Sequence, residues 1–319
     1  MSSLPTPATP APPDFLAWTP PAPPPSFWRD WGRHILLFVL TSASVFLCEG
    51  LRLVRGADGA LGVDWDVGGG LRLAVSVMSI LLAHEMGHYL ACRHYGVSAT
   101  LPFFLPAPIV NPLVGTFGAV IRIKSPFPHR RALFDIGIAG PLAGFVVCLP
   151  VLGLGLFEAQ VVPRDPASFG LVLAEPLIFR WAEAWLLGPL PPGSTLLIGP
   201  FGMAAWFGLL VTALNLIPIG QLDGGHVTYA LFGSRAEILS RVVWWLCVAM
   251  IVLVGPSFIL WATLVRVLGL RHPRTLDDEA PLGRGRWLVA LLGLAVFVMC
   301  FLPDPFRHSW RDFFAAWTG

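Results

Sequence analysis

The run from Leu71 to Tyr95, LRLAVSVMSILLAHEMGHYLACRHY, holds His84, Glu85 and His88 inside an otherwise apolar stretch. That stretch is long enough to cross a bilayer, for which a helix needs ~20 residues. Ionisable side chains at that depth are costly and are tolerated mainly where they bind an ion, relay protons or react. On a helix, His84 and His88 stand one turn apart on one face and can share a metal, with Glu85 beside the metal's open position. This is the HExxH pattern, weak by itself and strengthened here by its apolar setting.

Of 319 residues, 55% are hydrophobic and 13% charged, and the mean hydropathy is +0.70. The expected fold class is an all-α polytopic membrane protein of about six to seven transmembrane helices, with a re-entrant β-strand or hairpin beside the site. A net charge of +2 excludes the basic footprint of a nucleic-acid binder. Cys48, Cys92, Cys148, Cys247 and Cys300 all fall in apolar runs without metal-ligand spacing, as buried reduced thiols do.

Residues 1–28 are rich in Pro, Ala and Ser and read as a disordered cytoplasmic tail, with a Pro-rich ligand for a partner as the alternative. Residues 29–70 hold a first span, Ile35 to Leu51, with Glu49 at its end beside Arg52 and Arg55, and a surface turn from Arg55 to Gly70. Residues 71–233 form the expected core. Within it, Thr100 to Arg131 is apolar yet broken by Pro102, Pro106, Pro108, Pro112, Pro126 and Pro128, which forbids a continuous helix. Such backbone at membrane depth must be buried in protein or line a cavity. Gly115 to Ile123 reads as a strand there. Its Gly115, Thr116, Phe117, Gly118, Ala119 and Val120 could pair with an extended peptide. A strand that merely closes a hairpin is an equal reading.

Ala132 to Phe157 is the next span, with Gly137, Gly140 and Gly144 for close helix approach and Pro141 as a bend. Asp135 reads as a cap or dipole partner, and His94 and His129 as interfacial. Around Phe179 to Leu187 lies an amphipathic piece suited to a membrane surface. Gly202 to Ile217 is a span ending in NLIPIGQLDGGH, where Pro218 and Gly220 break the helix and Asp223 follows in an irregular turn. Residues 234–319 hold the remaining runs, Ile238 to Gly255, Ser257 to Leu268 and Trp287 to Leu302. The distribution of Arg and Lys places the amino terminus inside.

In that topology the HEMGH helix and the helix ending at Asn215 run in the same direction. His84 lies roughly 20 Å and Asn215 roughly 18 Å along their spans, in a core ~30 Å thick. The two motifs meet at one depth, which brings Asp223 to His84 and His88 as a third ligand. Two histidines, one carboxylate and an open position make a catalytic zinc set, whereas a structural site is closed by four protein ligands. Zinc would acidify its bound water. Glu85 would take that water's proton and pass it to the leaving amine, and Asn215 could donate to the oxyanion or to substrate backbone. The reaction is peptide-bond hydrolysis. His226 either hydrogen-bonds near the site or simply lines a cavity.

With HEMGH, GTFGAVI, AGPLAG and NLIPIGQLDGGH in this order, the sequence resembles the site-2 protease family of intramembrane zinc metalloproteases from about Leu71 to Leu231. GQLDGGH and RALFDIGIAGPLAG look most like the branch of chloroplast-type and PDZ-less bacterial members. The resemblance implies a three-helix core and one zinc per chain on His84, His88 and Asp223. It also implies catalysis by Glu85 with Asn215, and a glycine-rich strand that pairs with an unwound transmembrane protein or peptide substrate. The implied location is a multi-pass protein of the bacterial inner membrane. Ala159 to Pro200 has no room for a PDZ domain, and a carboxyl-terminal regulatory pair is also not found. The rival readings are a zinc or proton-coupled transporter, which would show internal repeats with matching broken helices, and a silent relative that only binds membrane segments. No such repeat is visible, and Glu85 is present with every ligand candidate.

Overall fold

The computed structural model describes residues 27–55, 61–108, 114–163, 173–270 and 272–302. Most of the expected proline-rich tail, Pro112 and the residues after Leu302 lie outside them. Residues 1–33 and 34–319 form separate units; of the first, the described part is the start of helix α1 (Phe27–Gly50).

The helices long and apolar enough to cross a membrane are Trp31–Gly50 of α1, α2 (Val67–His94), α3 (Arg130–Glu158) and the run Asp223–Leu253. That last run holds α6 (Asp223–Phe232), a 3-10 turn and α7 (Ala236–Leu253). The remaining helices are α4 (Leu177–Leu186), α5 (Pro200–Leu216), α8 (Ser257–Leu268) and α9 (Arg284–Cys300). α3 packs on α2, α5 and α6, and Leu73, Val77, Leu133, Phe134 and Leu209 are buried between these helices. Pro141 and Pro150 both lie inside α3, which remains one helix of 29 residues. α4 is the amphipathic piece expected, with Phe179 buried while Trp181 and Trp185 are exposed.

Among the described residues, three two-stranded antiparallel sheets qualify the all-α expectation: β1 (Leu51–Arg55) with β2 (Leu61–Trp65), β3 (Phe103–Pro106) with β4 (Thr116–Val120), and β5 (Gln160–Pro163) with β6 (Ser194–Leu197). The first corrects the surface turn expected from Arg55 to Gly70. Its strands are too short for their alternation to stand out beside Gly and Asp. Asp66 ends that segment as the cap of α2, its Oδ1 accepting the Gly69 N–H at 2.7 Å. Glu49 pairs with Arg52 at 2.5 Å, as its position suggested.

Asp135 is not a cap. His129 caps α3, its Nδ1 accepting the Ala132 N–H at 3.1 Å. Asp135 instead takes a two-pronged bond from Arg286 at the start of α9, at 2.8 and 2.6 Å, and a hydrogen bond from the Tyr95 hydroxyl. The partner lies 151 residues along the chain, beyond the reach of a local pattern. A planar guanidinium gripping one carboxylate is the strong form of an ion pair. This pair is partly exposed, so its contribution is on the order of 1 kcal/mol. Arg286→Ala is expected to lower the melting midpoint of the protein in detergent by about 2–4 °C, measured by scanning fluorimetry.

Candidate active site

His84, Glu85 and His88 project from the middle of α2 and are buried, at 3%, 5% and 6% exposure. Asp223 reaches them from α6. Its Oδ2 lies 3.3 Å from His84 Nε2 and 3.1 Å from His88 Nε2, and the two Nε2 atoms are 3.2 Å apart. Asp223 is the first residue of α6, where an irregular turn was expected. The glycines after it serve packing: a Cβ at Gly224 would overlap the Leu216 carbonyl, and one at Gly225 the Gly220 carbonyl. Only a helix with two bare residues directly after its first can fold back so closely onto the broken end of α5.

The ring protons follow from the partners. His88 Nδ1 lies 2.7 Å from the Ile136 carbonyl, which can only accept, so Nδ1 carries the proton and Nε2 presents a lone pair. The Asn215 amide nitrogen lies 3.2 Å from His84 Nε2. Two imidazole nitrogens and a carboxylate oxygen thus face one another in an apolar interior, a donor set that a metal cation satisfies. Ligands ~2.0–2.1 Å from a tetrahedral zinc lie ~3.3–3.4 Å apart, which these separations match. The three side chains fit zinc.

Helix α3 passes flat against both histidines because it carries glycine there. A Cβ at Gly140 would overlap the His88 imidazole, and one at Gly144 would stand 3.1 Å from the His84 Cβ. The spacing read from the sequence as helix approach is, more specifically, the wall of the site.

Of the expected strand, β4 covers Thr116 to Val120, and Gly115 lies just before it with φ of 74°. β4 pairs with β3 in antiparallel register, Phe104 opposite Ala119 and Leu105 opposite Gly118. Its other edge has no strand partner among the described residues. Thr116 is buried and donates to the Leu105 carbonyl at 2.8 Å, while Phe117 is 68% exposed. Immediately after β4, the Ile121 backbone lies beside the Glu85 carboxylate. The strand and the acid are therefore neighbours.

One part of this neighbourhood is not among the residues expected from the sequence. Residues 272–282 run without regular structure across the ends of α3 and α6. The Leu276 N–H donates to the Phe127 carbonyl at 3.0 Å and the Asp277 N–H to the Pro128 carbonyl at 3.1 Å. His226 Nδ1 lies 2.6 Å from His272 Nε2, and the Tyr229 ring stacks on His272 at 4.5 Å. The Tyr229 hydroxyl donates to Asp278 at 2.9 Å. Burial pushes the His272 imidazole below its ordinary value. Burial works to raise the Asp278 carboxyl, but hydrogen bonds from Thr275 and Tyr229 outweigh it and hold the group below the usual carboxylate value. A polar HPRTLDDEAP between two apolar runs was the available signal.

Helices of membrane length around a buried His–His–Asp set with a neighbouring glutamate define a membrane metallopeptidase architecture. The family model described as peptidase family M50 matches residues 72–255, and the chain belongs to that family. It is 33% identical over 246 residues to "Probable zinc metalloprotease EGY1, chloroplastic" of Arabidopsis thaliana, covering 73% of this chain and 43% of that protein. It is 31% identical over 250 residues to "Probable zinc metalloprotease EGY2, chloroplastic" of Oryza sativa subsp. indica, covering 74% and 43%. Against "Probable zinc metalloprotease EGY3, chloroplastic" of the same rice, identity is 27% over 309 residues, covering 90% and 50%. The chain thus spans half or less of the length of these relatives.

Gly140→Ala is expected to drive the His88 ring from its place and reduce zinc retained through purification to about a tenth or less. Gly153→Ala, on the same helix with nothing within 4 Å of the added methyl, should retain full zinc. Elemental analysis of both proteins checks this.

Proposed function

We propose that the chain is an intramembrane zinc metalloprotease that hydrolyses peptide bonds in or near transmembrane segments of membrane-anchored substrates. The observation that carries this is the meeting of His84, His88 and Asp223 around one point, with Glu85 adjoining, inside apolar helices. Residues 71–233 are the catalytic core, and His84 Nε2, His88 Nε2 and Asp223 Oδ2 hold one zinc.

The zinc, when bound, supplies a Lewis acid that polarises a carbonyl and acidifies water. Glu85 is the general base, drawing the proton from the attacking water and returning it to the leaving amine. Asn215 donates from its amide to charge developing on the carbonyl oxygen or to substrate backbone. The Ile136 carbonyl holds His88 in the tautomer a metal needs.

A substrate segment must be extended to expose its peptide bond, and extended backbone in the membrane needs hydrogen-bond partners. The unpaired edge of β4, Gly115 to Val120, is suited to supply them by strand addition. Its adjacency to Glu85 through Ile121 supports that reading, since a strand held there would run past the base. Exposed Phe117 and Val120 would meet the apolar side chains of such a segment.

The remaining parts of the reading are an amino terminus in the cytoplasm, about six to seven spans, and residence in a bacterial inner membrane. The Arg and Lys distribution and the further apolar helices α5, α8 and α9 support the topology.

Glu85→Gln is expected to lower cleavage of a transmembrane-helix substrate by about 10²–10⁴-fold with zinc retained, whereas Asp223→Ala loses the zinc as well. Cleavage assays in detergent beside elemental analysis separate these outcomes, and full cleavage by the Glu85→Gln protein would remove the mechanism.

A further inference from the structure

We infer that His272, together with Tyr229 and Asp278, is a positioning residue for the zinc ligand Asp223, acting through His226 to fix the rotation of helix α6. The inference rests on the zinc site proposed above. The segment that supplies His272 and Asp278 lies outside the residues that match the family model, 72–255.

Helix α6 carries the ligand on its first residue, is 10 residues long and has no side-chain hydrogen bond at its amino-terminal cap. A helix so short is marginal alone and takes its orientation from its contacts. Gly224 and Gly225 set how closely it approaches the end of α5. Close apolar contact leaves rotation about the axis loosely defined, whereas hydrogen bonds have direction. Side-chain atoms stand about 5–6 Å from a helix axis, so a 20° rotation moves a carboxylate oxygen by about 2 Å. A metal ligand tolerates only ~0.2 Å.

Directional contacts to α6 come from residues 272–282. His272 Nδ1 lies 2.5 Å from the Pro273 carbonyl and must donate to it, which leaves Nε2 as an acceptor. His226 Nδ1, 2.6 Å away, therefore donates to His272. His226 stands three residues after Asp223, on the same side of the helix. One turn further, Tyr229 stacks on His272 and donates to Asp278 at 2.9 Å. Asp278 is fixed in turn by Thr275, whose hydroxyl donates to it at 2.6 Å. Arg130 closes the arrangement, bonding the Ala230 carbonyl of α6 at 2.7 Å and the Asp278 carbonyl at 3.3 Å. Two successive turns of α6 are thus tied to one segment, which is itself tied to Phe127 and Pro128 just before α3. The arrangement sets the angle of α6, and with it the place of Asp223.

The test is zinc affinity of the full chain in detergent, measured by competition with a chromophoric chelator, beside the melting midpoint of the zinc-free protein. His272→Ala should bind zinc about 10–100-fold more weakly. His272→Gln, whose amide oxygen can still accept from His226, should recover most of that loss. Tyr229→Phe keeps the ring stack and loses the Asp278 bond; it should weaken zinc binding in the same direction, and it carries the test if His272→Ala fails to fold. Arg72→Ala, which breaks the ion pair to Glu158 at the far end of α2 and α3 from α6, should lower the melting midpoint and leave zinc affinity at the wild-type value. Wild-type affinity in both His272→Ala and Tyr229→Phe would overturn the inference, as would an equal loss in Arg72→Ala or a Gln variant as weak as the Ala variant. A wild-type chain that binds no zinc would instead remove the site itself, and the positioning role with it.

Discussion

Two imidazole nitrogens and a carboxylate oxygen held about 3 Å apart in an apolar interior form a donor set that a metal cation satisfies. Much of the surrounding architecture is explained by the need to build that point. α3 must lie flat against α2, hence glycine at Gly140 and Gly144. α5 must stop at membrane depth so that α6 can return with Asp223 at its tip, hence Pro218 and the bare start of α6. Each of these departures from a plain apolar helix lies beside a side chain of the site.

Polar ties hold these helices at their ends, where water is near, and apolar packing holds them in between. Arg72 of α2 meets Glu158 of α3 at 2.9 Å, and Glu158 accepts the Phe201 N–H of α5 at 2.8 Å. One carboxylate thereby links the three helices that carry or wall the site. At their other ends Asp135, Tyr95 and Arg286 join α3, the end of α2 and α9. Between these rims the packing is Leu, Val, Phe and Gly, so the buried ionisable set interrupts an otherwise uniform interior.

The site was legible in the sequence because its residues violate their surroundings. His84, Glu85 and His88 interrupt an apolar run, and NLIPIGQLDGGH breaks a span where a span has no local reason to break. Helices were legible from hydropathy to within a few residues at most ends, α2 beginning at Val67 where Leu71 was expected. Short strands were not, because LRLVR and LGVDW are too brief for a period of two to stand against the neighbouring Gly and Asp. The partner of Asp135 was not legible because a carboxylate near a helix start has a familiar local explanation, while Arg286 lies 151 residues away. His272 was missed for a related reason: a polar segment between apolar runs reads as an ordinary loop, and nothing local shows that it returns to α6.

The central claim is a zinc bound by two imidazoles and one carboxylate, with a position left open. X-ray absorption at the zinc edge on the purified full chain tests it most directly. The account predicts about one zinc per chain with only nitrogen and oxygen neighbours at ~2.0–2.1 Å, two of them showing the outer-shell scattering of imidazole. A folded chain without zinc, or a metal with sulfur neighbours at ~2.3 Å, would contradict it.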